Sequence, residues 1–186
     1  PKIRFNEDPI RILRAIRFSA KLGMPLNTSL TDHINRSISL LENVPYSRLF
    51  DEIMKLFLTG HAVKSMSLFK KFQLAQKYFP CLLDDESYEF INQGLINTDH
   101  RILNNKSINP GFLLAVFLWP DVKLAWGKSS KIIHPSTSLN EAIDNILLEQ
   151  SKVFPIQKRL AITMSEIWRL QPRFENLNPK RTYRLS

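Results

Sequence analysis

Cysteine is nearly absent from this sequence: Cys81 is its only one among 186 residues. One thiol can neither close an internal disulfide nor build a Cys-rich zinc site, which excludes disulfide scaffolds and zinc ribbons and suits a reducing, cytoplasmic setting. Long apolar runs are missing too. The longest, Phe112 to Trp119, has eight residues, far below the roughly 20 that a membrane helix needs, so no transmembrane segment is expected. Glycine and valine are scarce, five of each against 26 leucines, whereas sheets need β-branched strands and Gly-rich turns. An all-α fold is therefore expected. With 44% hydrophobic residues, a chain of this size buries roughly 70% of its unfolded surface, which excludes intrinsic disorder.

What is present follows a helical period. Apolar residues recur at steps of three and four, with Pro or Gly at the breaks. The spacing predicts a first helix with Asp8 as N-cap and Pro9 at its first position, running to Leu22 before Gly23. Further helices are predicted over Thr28 to Leu41, Ser47 to Leu58, His61 to Phe72, Asp85 to Leu103, Pro110 to Leu118, Leu139 to Ser151 and Pro155 to Leu170. Asn104 to Asn109 and Gly127 to Ser138 read as loops.

Charge is uneven. Of the net +9, residues 1–80 carry 13 basic and 6 acidic side chains, residues 81–150 carry 5 and 9, and residues 151–186 carry 8 and 2. Two basic ends flank an acidic middle, a distribution that attracts polyanions, nucleic acid first among them. The first helix concentrates the effect. At 100° per residue Arg11, Arg14, Arg17 and Lys21 share an arc of roughly 120°, opposite Ile12, Leu13, Ile16 and Ala20. Such a stripe is either a solvated face or a ligand surface, and its repulsion is relieved only where anions lie opposite. Three of the four cations are arginines, whose planar fork suits phosphate or a base edge. Asp8 likewise has two readings: a helix cap, or an acceptor that shares one surface with Arg11 and so offers a nucleobase both acceptor and donors.

The run Glu7-Asp8-Pro9-Ile10-Arg11-Ile12-Leu13-Arg14-Ala15-Ile16-Arg17-Phe18 resembles the EDxxR signature of the class II nucleotidyltransferases, the bacterial poly(A) polymerases and CCA-adding enzymes. Val44-Pro45-Tyr46-Ser47-Arg48-Leu49-Phe50-Asp51-Glu52-Ile53-Met54-Lys55-Leu56-Phe57-Leu58, then Leu68-Phe69, Tyr78-Phe79-Pro80, Pro110 to Pro120 and Glu166 to Gln171, are similar to the poly(A) polymerase branch in particular. The resemblance covers nearly the whole chain. It implies the neck (1–80) and the helical body with part of the RNA-binding region (81–186) of an enzyme that adds AMP from ATP to RNA 3′ ends without a template. It also implies that Asp8 and Arg11 read the base edge of the incoming nucleotide and that Arg14 contacts its phosphate or braces the site. RNA is expected at Arg17, Lys21, Lys158, Arg159, Lys180 and Arg181, in a cytoplasmic monomer.

Catalysis in this family needs a head with a Gly-Ser turn and an Asp-x-Asp pair that binds Mg²⁺. Neither pattern occurs in the sequence, so the head is expected upstream of Pro1, and Pro179 to Ser186 looks like the opening of a further helix. Asp51-Glu52 and Asp84-Asp85-Glu86 read as structural or solvated, the four histidines lack metal-ligand spacing, and Cys81 reads as a small hydrophobe. Trp119 and Trp168 read as core, while Trp126 is open to a stacking role. Two alternatives remain: a CCA-adding enzyme, against which the second block argues, and a helical nucleic-acid-binding module without enzymatic parentage.

Overall fold

The structure, a computed structural model, describes residues 2–79, 85–129, 135–153 and 155–175. These residues form α1 (Lys2–Glu7), α2 (Arg11–Leu22), α3 (Thr28–Ser37), a 3-10 helix (Ile38–Asn43), α4 (Tyr46–Phe57), α5 (Ala62–Lys71), α6 (Leu74–Tyr78), α7 (Asp85–Leu103), α8 (Pro110–Ser129), α9 (Pro135–Val153) and α10 (Lys158–Glu175). No strand occurs among them, so the fold is all-α.

The helices bury the stripes that their periodicity marks. In α2 these are Ile12, Leu13, Ile16 and Ala20, and Gly23 ends the helix at φ 65°, its N–H returning to the Ala20 carbonyl. α8 is apolar nearly all round: Leu113 to Trp119 and Val122 are all buried, as the central helix of a small bundle should be. It packs against α7, α9 and α10. Gly94 on α7 makes room for it, since a Cβ there would lie 2.6 Å from Val116 Cγ1. Edge-on aromatic contacts of Phe57 with Phe69 (5.6 Å) and Phe117 (5.1 Å), and of Phe79 with Phe117 (4.9 Å), tie α4, α5 and α8 together. One apolar core thus draws on both the 1–80 and the 81–186 regions. Trp119 and Trp168 belong to it, and the Trp168 indole donates to the Ala115 carbonyl at 3.0 Å. Trp126 is partly buried against the same core.

Several sequence expectations need correction. Asp8 is not the N-cap of α2, nor is Pro9 its first residue. Ile10 occupies the cap position without a side-chain hydrogen bond, because the short α1, missed in the sequence, leads almost directly into α2. The backbone carbonyls of Asp8 and Pro9 accept the Arg11 and Ile12 N–H groups at 3.1 and 3.0 Å, so those donors have no need of a carboxylate. The second predicted helix tightens into a 3-10 turn after Ser37, and α6 follows Gln73 in the left-handed region, which no glycine announces. α8 continues past Leu118 through Pro120 to Ser129. Burial of its apolar surface outweighs the backbone hydrogen bond that Pro120 cannot make, worth roughly 3 kcal/mol with its steric clash. α9 starts at Pro135 rather than Leu139, with a proline suited to a first helical turn, and α10 starts at Lys158 and runs through Pro172. Asn104 to Asn109 is a loop as expected, and the Asn109 carboxamide oxygen accepts the Gly111 N–H at 2.8 Å at the head of α8.

Candidate functional site

Two of the α2 cations, Arg14 and Arg17, meet a carboxylate supplied by α4. Glu52 is buried, 4% exposed. Arg14 Nε lies 3.6 Å and Lys55 Nζ 3.1 Å from its Oε1, while Arg17 Nη2 lies 3.5 Å from its Oε2. The Arg17 contact is an ion pair without hydrogen-bond geometry: Glu52 Oε2 and Arg17 Nε are both buried and lack a hydrogen-bond partner. A buried carboxylate is tolerable only with such cations around it. The Arg stripe therefore has its anion, and its repulsion is relieved within the fold rather than by solvent alone.

One turn earlier, the freed Asp8 carboxylate is shared. Its Oδ1 accepts from Arg48 Nη2 at 3.1 Å, and its Oδ2 lies 3.8 Å from Arg11 Nε. Asp8 is about a quarter exposed and Arg11 nearly half. An acceptor oxygen and a fork of N–H donors thus meet at the solvent-facing end of α2, where both could engage one polar ligand edge. Arg11, Arg14, Arg17, Arg48 and Lys55 against Asp8 and Glu52 leave three positive charges in excess, a surplus suited to phosphate.

The remaining predicted residues lie apart. Lys21 is exposed at the end of α2. Lys158 and Arg159 are exposed at the start of α10, where Arg159 Nε donates to Gln157 Oε1 at 3.1 Å. α2 packs on α1, α4 and α5, whereas α10 packs on α8 and α9, so the two basic groups are held by different helices. Lys180 and Arg181 lie outside the described residues, as do Cys81, Asp84 and His134. Asp51 is exposed, and its neighbour Glu52 is structural in the strong sense just described. Arg48 was missed as a site residue. Its i,i+4 spacing to Glu52 on one helix hints at a shared role, but its partner Asp8 is 40 residues away. Among the described residues no three His, Cys, Asp or Glu side chains gather where they could hold a metal ion, so no metal-dependent step is assigned to them. Nor is any helix of the described residues long and apolar enough to cross a membrane.

A family model described as the probable RNA and SrmB-binding site of polymerase A matches residues 23–85, and one described as the polymerase A arginine-rich C-terminus matches residues 131–186. The second covers Lys158 and Arg159; the first covers Arg48 and Glu52 and stops short of α2. Poly(A) polymerase I of Escherichia coli O157:H7 is 35% identical over 197 aligned residues, covering 100% of this chain and 42% of that protein. The Haemophilus influenzae poly(A) polymerase I is 33% identical, covering 92% and 40%. A CCA-adding enzyme of Streptococcus agalactiae serotype V is 39% identical over 83 residues, 45% of this chain and 20% of that protein. The chain spans about two fifths of the length of the poly(A) polymerases it matches. Matches to two polymerase A segments, and an identity of about one third along its whole length, make this chain a member of the bacterial poly(A) polymerase family.

Proposed function

We propose that this chain is the nucleotide-selecting and RNA-holding part of a polynucleotide adenylyltransferase, which transfers AMP from ATP to RNA 3′ ends without a template. The observation that carries this reading is the Asp8 carboxylate held between Arg11 and Arg48 at the exposed end of α2. Asp8 would accept the exocyclic amine of adenine while Arg11 donates to the adjacent ring nitrogen, so side chains stand where a template base would. Cytosine also offers an amine beside an acceptor, so the discrimination must come from reach. A purine edge extends farther than a pyrimidine edge, and the Arg48 hydrogen bond holds Asp8 at a set depth. Arg14, anchored by Glu52 yet nearly half exposed, is placed to meet phosphate of the same nucleotide. Lys21, Lys158 and Arg159 would hold the RNA backbone, with Lys180 and Arg181 contributing beyond the described residues. The Mg²⁺ and the phosphoryl chemistry belong to a catalytic head outside these residues, and ATP is the substrate rather than a resident cofactor.

A second reading, the CCA-adding enzyme, has the 39% identity over 83 residues in its favour. The poly(A) polymerase matches extend over the entire chain, and they favour the first. The deciding experiment is nucleotide incorporation by the complete enzyme on unrelated RNA 3′ ends. Repeated ATP incorporation is expected, with Asp8→Ala and Arg11→Ala eroding ATP-over-CTP preference more than RNA affinity. Addition of two CMPs and one AMP on tRNA alone would transfer the assignment to the rival, and an unchanged preference in both variants would remove base reading from these residues.

A further inference from the structure

α2 carries one exposed aromatic side chain that base reading by Asp8 and Arg11 leaves unused. Phe18 is 49% exposed, and Leu22, one turn on, is 62% exposed. At 100° per residue, Lys21, Arg14, Phe18 and Arg11 follow one another within an arc of about 80°, so the ring lies in the basic stripe between Arg14 and Arg11. Arg14 is one turn before it and Lys21 just under one turn after it. One face of the ring is covered by the Arg17 guanidinium, 5.0 Å from its centroid, and Arg17 itself is paired with buried Glu52. Lys64 extends the cationic surface beyond the helix: its Nζ is 4.0 Å from where a Cβ on Gly23 would sit. From Arg11 to Lys21 the stripe rises about 15 Å, enough for a few nucleotides.

We propose that Phe18 is a stacking platform for one base of a single-stranded polynucleotide whose phosphates run along Lys21 and Lys64. This rests on the RNA-holding reading above and adds to it a residue and a contact. Charge complementarity selects the occupant. A protein partner that covered Phe18 and Leu22 with apolar groups would also strip water from three or four cations, whereas a single strand offers a π-face and phosphates together, the combination that single-strand sites use. A ring already positioned by Arg17 on one face loses little freedom when a base stacks on the other, and the guanidinium adds a cationic contribution.

The test measures binding of fluorescein-labelled oligo(A) to the complete protein by anisotropy across a salt series. It is combined with fluorescence of an oligo(A) carrying single 2-aminopurines. Loss of one aromatic stacking contact corresponds to about 5- to 150-fold in affinity. Phe18→Ala is expected to weaken binding within that range with the log–log salt slope unchanged, since no charge is removed. Phe18→Tyr should retain binding, Phe18→Leu should not, and 2-aminopurine quenching at one position should vanish in Phe18→Ala. Lys21→Gln should instead lower the salt slope by about 0.7, which shows that the two readouts separate. Unfolding midpoints of all variants establish that the half-exposed site tolerates them. Wild-type binding with a normal salt slope that Phe18→Ala leaves intact would overturn this proposal alone. Full rescue by Phe18→Leu would replace stacking with a simple apolar contact and overturn it too. Concentration-dependent self-association abolished by Phe18→Ala, with RNA affinity unchanged, would give the patch to a second copy. Absence of any RNA binding by the wild type would overturn both this proposal and the reading beneath it.

Discussion

Replacing Glu52 with Gln keeps the shape of the side chain and removes its charge, leaving Arg14, Arg17 and Lys55 converging on a neutral, buried amide. The three ion pairs do not contribute equally. Arg14 and Lys55 are 45% and 54% exposed, so water screens them and each adds at most about 1 kcal/mol. Arg17, 19% exposed, faces Glu52 in a less screened place. A unit pair at that separation interacts by about 4 to 5 kcal/mol at an effective dielectric constant of 20, from which the relief of Glu52 desolvation must be subtracted. Breaking a buried pair by removing one partner costs about 3 to 5 kcal/mol, and with that relief the expected loss for Glu52→Gln is roughly 3 kcal/mol. For a domain of this size that is a fall in melting temperature of about 6 to 12 °C. Urea titration followed by circular dichroism should show a lower midpoint with an unchanged slope. Lys55→Met, which removes an exposed partner, should cost under about 1 kcal/mol. A Glu52→Gln loss below about 1 kcal/mol, or a cost equal to that of Lys55→Met, would refute the argument that the buried carboxylate organises this face.

Three further outcomes follow from the packing. The Asp99 carboxylate of α7 accepts both first N–H groups of α5, from Ala62 at 2.6 Å and Val63 at 3.1 Å. Asp99→Ala should therefore cost about 1 to 2 kcal/mol in equilibrium unfolding, with Asp99→Asn recovering part of it; no effect would mean that water caps α5 equally well. Gly94→Ala sets a methyl 2.6 Å from Val116 Cγ1 and should destabilise by about 1 to 3 kcal/mol; the double variant with Val116→Ala should cost less than the sum, and strict additivity would deny the close approach of α7 and α8. Tyr78 is buried, and burial first, then the negative charge of nearby Glu42, pushes its hydroxyl up to about 12. Because the raised value favours the protonated form in the folded state, stability is complete below about pH 10, where an unfolded tyrosine begins to ionise, and falls between pH 10 and 12 by roughly 2 to 3 kcal/mol. Tyr78→Phe should flatten the stability profile in that window, and ultraviolet titration should find one tyrosine that ionises late in the wild type and not in the variant.

Local chemistry is what a sequence carries on its face, and it served where local chemistry decides. The 3.6-residue stripe of Ile12, Leu13, Ile16 and Ala20 placed the buried side of α2, Gly23 marked its left-handed end, and Asp85 to Leu103 was delimited residue for residue. It misled where tertiary packing overrides propensity. Pro120 looks like a terminator, yet α8 runs through it because its apolar surface is enclosed by three other helices. Asp8 has the form of an N-cap, yet α1 delivers helical backbone to α2 and makes that cap unnecessary.

By itself the sequence determined that this chain is all-helical, that its first long helix carries arginines on one side and aliphatics on the other, and that its EDxxR run places an acceptor and a donor three residues apart. These follow from helical periodicity and from the identity of the side chains. Only the tertiary structure decided what the arginines face. Asp8 meets Arg48 across 40 residues of chain, and Glu52, an ordinary-looking residue on another helix, is buried among Arg14, Arg17 and Lys55. No periodicity encodes such pairings, because they depend on how two helices dock. The docking turns a stripe of like charges into a braced surface with three positive charges to spare and one exposed aromatic ring among them.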